Sequence, residues 1–509
     1  MSQLGAPFTP PPPYDPPPIP PPSRPSSSEI PSWIVLLAAA VALCLAGLLG
    51  FVVVHGRSDG TSAPPPPPKH HYPSQWDKRI KSEVRIAEKQ RGLSFKHPVA
   101  VRFLAPAAFR KTLVREDKLT AKDRRQIRQQ TGLLRAFGLL SGKVDLVRAE
   151  QDFSGTAVLA YYSFKTRSIT IRGHHITPSI RATLVHELTH ALQDQYFHVG
   201  ALFKTLAKQK HSKNDEQSVL HAITEGDAQR TEHAYGSSLG TKQRQALIAA
   251  QRREAGQARQ GLARIPKIII AFESSPYDLG EGLVRTVAQH GGNAAVARLF
   301  RHPPAYDIAL VDPFRVIQGH TGAVRVPAPT LGKREKKFDS GDFGALSWYL
   351  MLSARLPALQ ALHTVDGWGG DSFVGYQSAG RSCARMTYRG RTPADTSAMY
   401  SSLQQWIAAV PGSPASVRLS GGVLTFQSCD PGVGGATVST DFQPAVDLVT
   451  TRTLVGATLL HSGASVPQAR CLAGKLVDTY TVAQLNDPTF GANDPSVATR
   501  MQQLGAECQ

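Results

Sequence analysis

Cysteine is almost missing from the first three quarters of this 509-residue chain, where Cys44 stands alone; the other four are Cys383, Cys429, Cys471 and Cys508. Their spacing suits no zinc knuckle, and the length excludes a small scaffold that depends on staples for its core. No Gly-Lys-Ser/Thr triplet follows Gly369 and Gly370, so those glycines read as turn geometry rather than a phosphate cradle. No internal repeat is visible. No charge interrupts Trp33 to Val54. No recognisable nucleic-acid motif accompanies the net positive charge, and nucleic acid is not an expected partner.

What is present divides the chain. The leader is proline-rich ("PPPYDPPPIPPPS"), a composition that forms neither helix nor central strand, and residues 1–32 read as a disordered, partly polyproline-II tail. The uncharged segment 33–54 would span about 33 Å as a helix, enough for the hydrocarbon core, with Trp33 at an interface. It lacks the short apolar region and cleavage site of a signal peptide, so an uncleaved single-pass anchor is expected. A proline-rich linker, 55–74, follows.

The overall charge is +19; with nothing net in 1–74 and −1 in 365–509, the middle, 75–364, carries +20. Such a domain is attracted to anionic lipid or envelope polymer, or simply presents a solvated Lys/Arg surface. The small charge bias around 33–54 weakly favours a cytoplasmic domain. The four clustered cysteines favour two disulfides and an oxidising compartment, and they decide for an extracytoplasmic domain at the cell membrane. Sequence does not fix the pairing; sequential pairing, Cys383 with Cys429 and Cys471 with Cys508, is the expectation.

The chemistry lies in "RATLVHELTHALQDQ", 181–195. Two alternating segments predict a β-hairpin over 156–173, and its strand near 168–172 is a candidate edge for aligning an extended peptide. Thr177 and Pro178 then start a helix predicted to reach Phe197. Ile180, Leu184, Leu188, Ala191 and Leu192 form its apolar arc, while His186, His190 and Asp194 fall on another. Four-residue spacing stacks two imidazoles one turn apart, so His186 and His190 can share one ion, with Glu187 beside it to take a proton from water.

A catalytic zinc needs a third protein ligand. A second helix, about 216–235 and ended by Gly236, offers Glu225 and Asp227, about 200° apart on the wheel. Asp227 falls among Val219, Leu220, Ile223 and Ala234 and reads as a buried residue fixing helix to helix. Glu225 shares a polar side with His221, Gln229 and Glu232 and is the expected ligand. Gly226 would allow close helix approach. Asp194 either orients His190 or is an exposed helix carboxylate. His233, Tyr235 and Tyr277 are candidate transition-state donors, while His174 and His175 are loop histidines.

"LVHELTHALQDQYF" followed by "ITEGDA", with "SSPYDLGEGLV", "GGNAAVARLFRHPP" and "DGWGGDSFVGY", resembles the bacterial membrane-anchored zinc metallopeptidases of the gluzincin kind over about 150–376. The resemblance implies a zincin-like domain, Zn2+ held by His186, His190 and Glu225, Glu187 as base, a proline-rich cytoplasmic tail and an outward-facing domain acting on peptides or proteins. Similar members carry an acidic residue and then His-Pro after the double proline; Ile308 and Asp312 stand there instead.

The expected fold is therefore α+β: a zincin-like metallopeptidase domain, 75–376, and a disulfide-containing region, 377–509. Elsewhere, 78–92 reads as an amphipathic helix, 99–104 as a strand, 118–140 as a basic helix and 337–356 as a helix. The alternative to a peptidase is a non-catalytic zinc-containing envelope module binding anionic polymer or lipid.

Overall fold

A computed structural model describes residues 72–113, 119–208, 214–435, 441–491 and 494–509. The expected tail 1–32, span 33–54 and most of the linker 55–74 lie outside the described residues; among the described ones no helix is long and apolar enough to cross a membrane.

The class is α+β. In order come α1 (Lys81–Arg91), β1 (Ala100–Leu104), α2 (Pro106–Leu113), α3 (Ala121–Ala136), α4 (Leu146–Ala157), β2 (Ala160–Ser163), β3 (Ser168–Arg172), α5 (Pro178–Phe197), α6 (Val199–Lys208), α7 (Asn214–Ser238), α8 (Thr241–Leu262) and α9 (Lys267–Arg301). Two single turns, α10 (Ile308–Val311) and α11 (Phe314–Ile317), precede β4 (Lys336–Gly341), α12 (Ala345–Ser353), α13 (Ala358–Asp366), β5 (Trp368–Ser378), β6 (Arg381–Gly390) and α14 (Pro393–Ala408). The chain closes with β7 (Ala415–Ser420), β8 (Val423–Cys429), α15 (Gln443–His461), α16 (Val466–Thr479), α17 (Val482–Leu485) and α18 (Pro495–Ala506).

The element that matters most, α5, starts and stops where its sequence says. Thr177 accepts the Ile180 N–H at 3.2 Å, Pro178 occupies the first turn, and His198 ends the helix in the left-handed region at φ 54°. Nearly every side chain of α5 is buried, because α7 covers its polar side as the core covers its apolar one.

The hairpin is shorter than expected: 156–157 end α4, and β2 and β3 span only 160–163 and 168–172. The smaller sheet has the order β1-β3-β2, with β1 parallel and β2 antiparallel to β3. The segment 168–172 is therefore the central strand, its main chain paired on both sides. It cannot take up a substrate strand; the free edge beside α5 is β2.

The second sheet is antiparallel, in the order β4-β5-β6-β8-β7. A domain boundary after 376 would cut β5, whose pairing with β6 runs from Trp368 through Ser378, and one buried core runs from Ile80 to Val477. The two expected regions share that sheet and that core. The segment 337–356 is a strand and then a helix, because Gly344 at φ 86° breaks it. Gly236 lies inside α7, since Tyr235 packs with Leu247 of α8 and carries the helix on. Cys383–Cys429 joins partner positions on β6 and β8, and Cys471–Cys508 ties α16 to the segment after α18, as the sequential pairing anticipated.

Candidate metal centre

Helices α5 and α7 face each other, and the backbone contact of α7 with α9 sets their position. A Cβ added at Gly226 would lie 2.0 Å from the Gly280 carbonyl carbon, and one added at Gly280 would lie 2.0 Å from the Ala222 oxygen. Only glycines permit so close a crossing, and Glu225 is adjacent to it.

His186, His190 and Glu225 converge: one ligand atom from each lies within 4.8 Å of the other two. Glu225 Oε2 is 3.2 Å from His186 Nε2 and 3.3 Å from His190 Nε2. A third imidazole joins them, His221 Nε2 at 3.4 Å from Glu225 Oε1. His186, Glu187 and Glu225 are wholly buried, and His190 is nearly so.

Each of the two imidazoles has a polar neighbour at its other nitrogen, by hydrogen bond for His190 and by ion-pair contact for His186. Glu232 Oε2 lies 3.2 Å from His186 Nδ1, and Gln193 Oε1 lies 3.0 Å from His190 Nδ1. Gln193 donates in turn to the Thr224 carbonyl and to Asp227 Oδ2, both at 3.0 Å. Asp227 is held by buried Arg91, Nε at 2.8 Å, and by Arg230 at 3.3 Å. Asp227 thus fixes helix to helix, as its position on the wheel suggested.

Asp194 takes neither expected role. It is buried, accepting the Tyr162 hydroxyl at 3.1 Å and the Gly200 N–H at 3.0 Å, and it does not orient His190. Of the candidate donors, Tyr277 stacks near His186, ring centroids 6.1 Å apart. His233 is engaged with Glu281 at 2.8 Å, and Tyr235 sits in an apolar cluster with Ala182, Val185 and Leu247.

Electrostatics favour positive charge at the centre. Burial works against a charged His186, but Glu225 and Glu232 outweigh it and raise its pKa to about 9. His190 is raised as well, against burial, by Glu225. Burial would raise Glu225, yet His190, His186 and His221 hold it well below the usual carboxylate range. Burial pushes Glu187 well above that range, with His190 opposing.

The donor set fits a zinc ion: two imidazoles and a carboxylate, neutral and anionic ligands of the expected kind. It is also under-satisfied. His190 Nε2 and Glu225 Oε1 complete no hydrogen bond despite their counter-charges, and Glu187 Oε1 has no hydrogen-bond partner. Buried polar atoms left so are uncommon, and here three of them meet at one place that could hold a metal ion. The other Glu187 oxygen accepts the Tyr162 N–H at 2.6 Å, which ties it to edge strand β2.

Sequence reasoning missed Gln193 and Arg91 as parts of this site, and it put Glu232 on the polar side beside Glu225 without giving it a role. Gln193 and the role of Glu232 were readable in principle, since a metal-binding histidine needs a partner for its second nitrogen. Comparison with known protein families, with curated proteins and with solved structures finds no match.

Proposed function

We propose that this chain is a zinc metallopeptidase, resembling the gluzincin kind, anchored by residues 33–54 with its large domain outside the cytoplasm. The carrying observation is the convergence of His186, His190 and Glu225 within 4.8 Å, beside a buried Glu187 with one unpartnered oxygen. Bound there, zinc would supply a Lewis acid that makes water nucleophilic near neutral pH and polarises a peptide carbonyl.

The chain's own residues do the rest. Glu187 Oε1 accepts the proton from the attacking water and returns it to the leaving amine, while the Tyr162 N–H fixes the orientation of the carboxylate. Glu187 ionises more readily with a dication beside it, which offsets the effect of its burial. Glu232 and Gln193 keep the imidazoles turned inward. Strand β2, the free edge beside α5, is the main chain along which an extended peptide would align.

The burial of all four side chains favours a second reading, a closed structural metal in an envelope module that binds anionic polymer or lipid. A neighbouring cavity favours catalysis: none of the four lines it, but this cavity of about 260 Å³ has in its wall His221, which lies 3.4 Å from Glu225. The test is Glu187→Gln, with zinc content measured beside a proteomic cleavage screen. Zinc retained with hydrolysis abolished is expected. Undiminished turnover refutes the mechanism, and metal without any cleavage by the wild type favours the structural reading.

A further inference from the structure

The cavity beside His221 has a composition at odds with the protein around it. The chain carries 57 Lys and Arg against 38 Asp and Glu, yet among the described residues six carboxylates and no lysine or arginine line this cavity. The rest of its wall is largely apolar, with Leu133, Phe137 and Phe203 among the contributors.

Two of the acids have no counterpart among the described residues. Asp215 is 3 % exposed and its Oδ2 has no hydrogen-bond partner; Glu150 is 6 % exposed and its Oε1 has none. Around Asp215 the charges are of like sign, Asp307, Asp342 and Asp371, and beside Glu150 stands Glu273. Burial and these neighbours push Asp215 well above the usual carboxylate range and Glu150 to about 8. Buried acids in this condition gain most from an incoming cation.

We infer that this cavity is the specificity pocket of the metal centre and receives a lysine or arginine side chain of the peptide, with Asp215 and Glu150 meeting the cationic head. This rests on the peptidase reading and names its substrate class. An aliphatic stem against leucine and phenylalanine, ending in a charge that must find a carboxylate, matches the two kinds of wall. The volume suits one long side chain. An inorganic dication fits less well, since among the described residues the group close enough to share an ion is His186, His190 and Glu225.

The test uses full-length, zinc-loaded Glu187→Gln protein, so that peptide binding is read without turnover. The probes are capped alanine pentapeptides with a central lysine, arginine or norleucine, titrated by calorimetry. The lysine and arginine peptides should bind about 30-fold or more tightly than the norleucine one. Adding Asp215→Asn or Glu150→Gln should collapse that ratio while leaving norleucine affinity and zinc content unchanged. Equal affinities, no binding of any of the three, or a ratio that survives both substitutions overturns the pocket. So does Asp215-dependent binding of calcium chloride alone. In the wild type, hydrolysis of all three at equal rates sinks the pocket and leaves the peptidase; lysine preference without hydrolysis sinks the peptidase and leaves the pocket.

Discussion

Gly226→Ala sets two effects of opposite sign against each other, and the structure decides between them. Alanine gains about 1 kcal/mol over glycine in a helix interior. At 226, however, the new methyl would stand 2.0 Å from the carbonyl carbon of Gly280, 2.2 Å from its oxygen and 2.4 Å from Glu281 N. Ordinary contact begins near about 3.5 Å, and every obstructing atom is backbone, so no side chain can swing aside. Helices α7 and α9 must separate by about 1.5 Å or distort, and overpacking of this kind costs about 1–3 kcal/mol or somewhat more. The expected balance is a loss of about 2 kcal/mol, read as a lower urea midpoint. Because Glu225 is the preceding residue, zinc affinity should fall about tenfold or more as well. Gly256→Ala is the control: it lies inside α8 with nothing within 4 Å of an added Cβ, so it should gain about 0.5–1 kcal/mol. Wild-type stability and full zinc in Gly226→Ala would refute the idea that this crossing sets the metal site.

Glu232→Gln removes the counter-charge 3.2 Å from His186 Nδ1 and should weaken zinc binding about 10–100-fold with the fold intact, measured by competition with a chelator; unchanged affinity would dismiss the orienting role. Glu150 gives a pH signature. Its carboxyl is raised by burial and by Glu273 from 4.5 to about 8, so between those values the folded protein keeps a proton that the unfolded chain has released. The stability it contributes is full below the lower value and is lost as pH rises toward the upper. The stability of Glu150→Gln relative to wild type should therefore grow between pH 5 and pH 8, by up to about 4 kcal/mol. A flat difference in urea midpoints across that range would refute the burial argument.

Local signals were legible and long-range ones were not. Thr177 and Pro178 begin α5 through bonds to their own neighbours, so its start could be read without any tertiary knowledge. The choice of Glu225 over Asp227 needed only the helical wheel, because the two faces of α7 meet different surroundings. The wheel gives a direction but not what lies there, and this misplaced Asp194. Its arc points to Tyr162 and to Gly200, which no periodicity could locate. The same limit hid the partner of β1: the strand read at 99–104 pairs with β3 from more than sixty residues upstream and turns an apparent edge into a centre. Gly344 is a different case: a glycine ahead of an apolar run was a visible break, and the long helix drawn through it ignored the backbone.

Helix α7 also joins the metal centre and the cavity in one argument. It carries four buried acids on a single rod, Asp215, Glu225, Asp227 and Glu232. Asp227 is paired with Arg91 and Arg230, Glu232 with His186, and Glu225 with three imidazoles. Asp215, at the end nearest the cavity, faces Asp307, Asp342 and Asp371 instead. Buried charge persists in proteins when it is compensated. Three of the four acids find that compensation among the described residues; burial favours the neutral form of Asp215 instead, and a cation entering the cavity, about three helical turns from Glu225, is what would favour its charge.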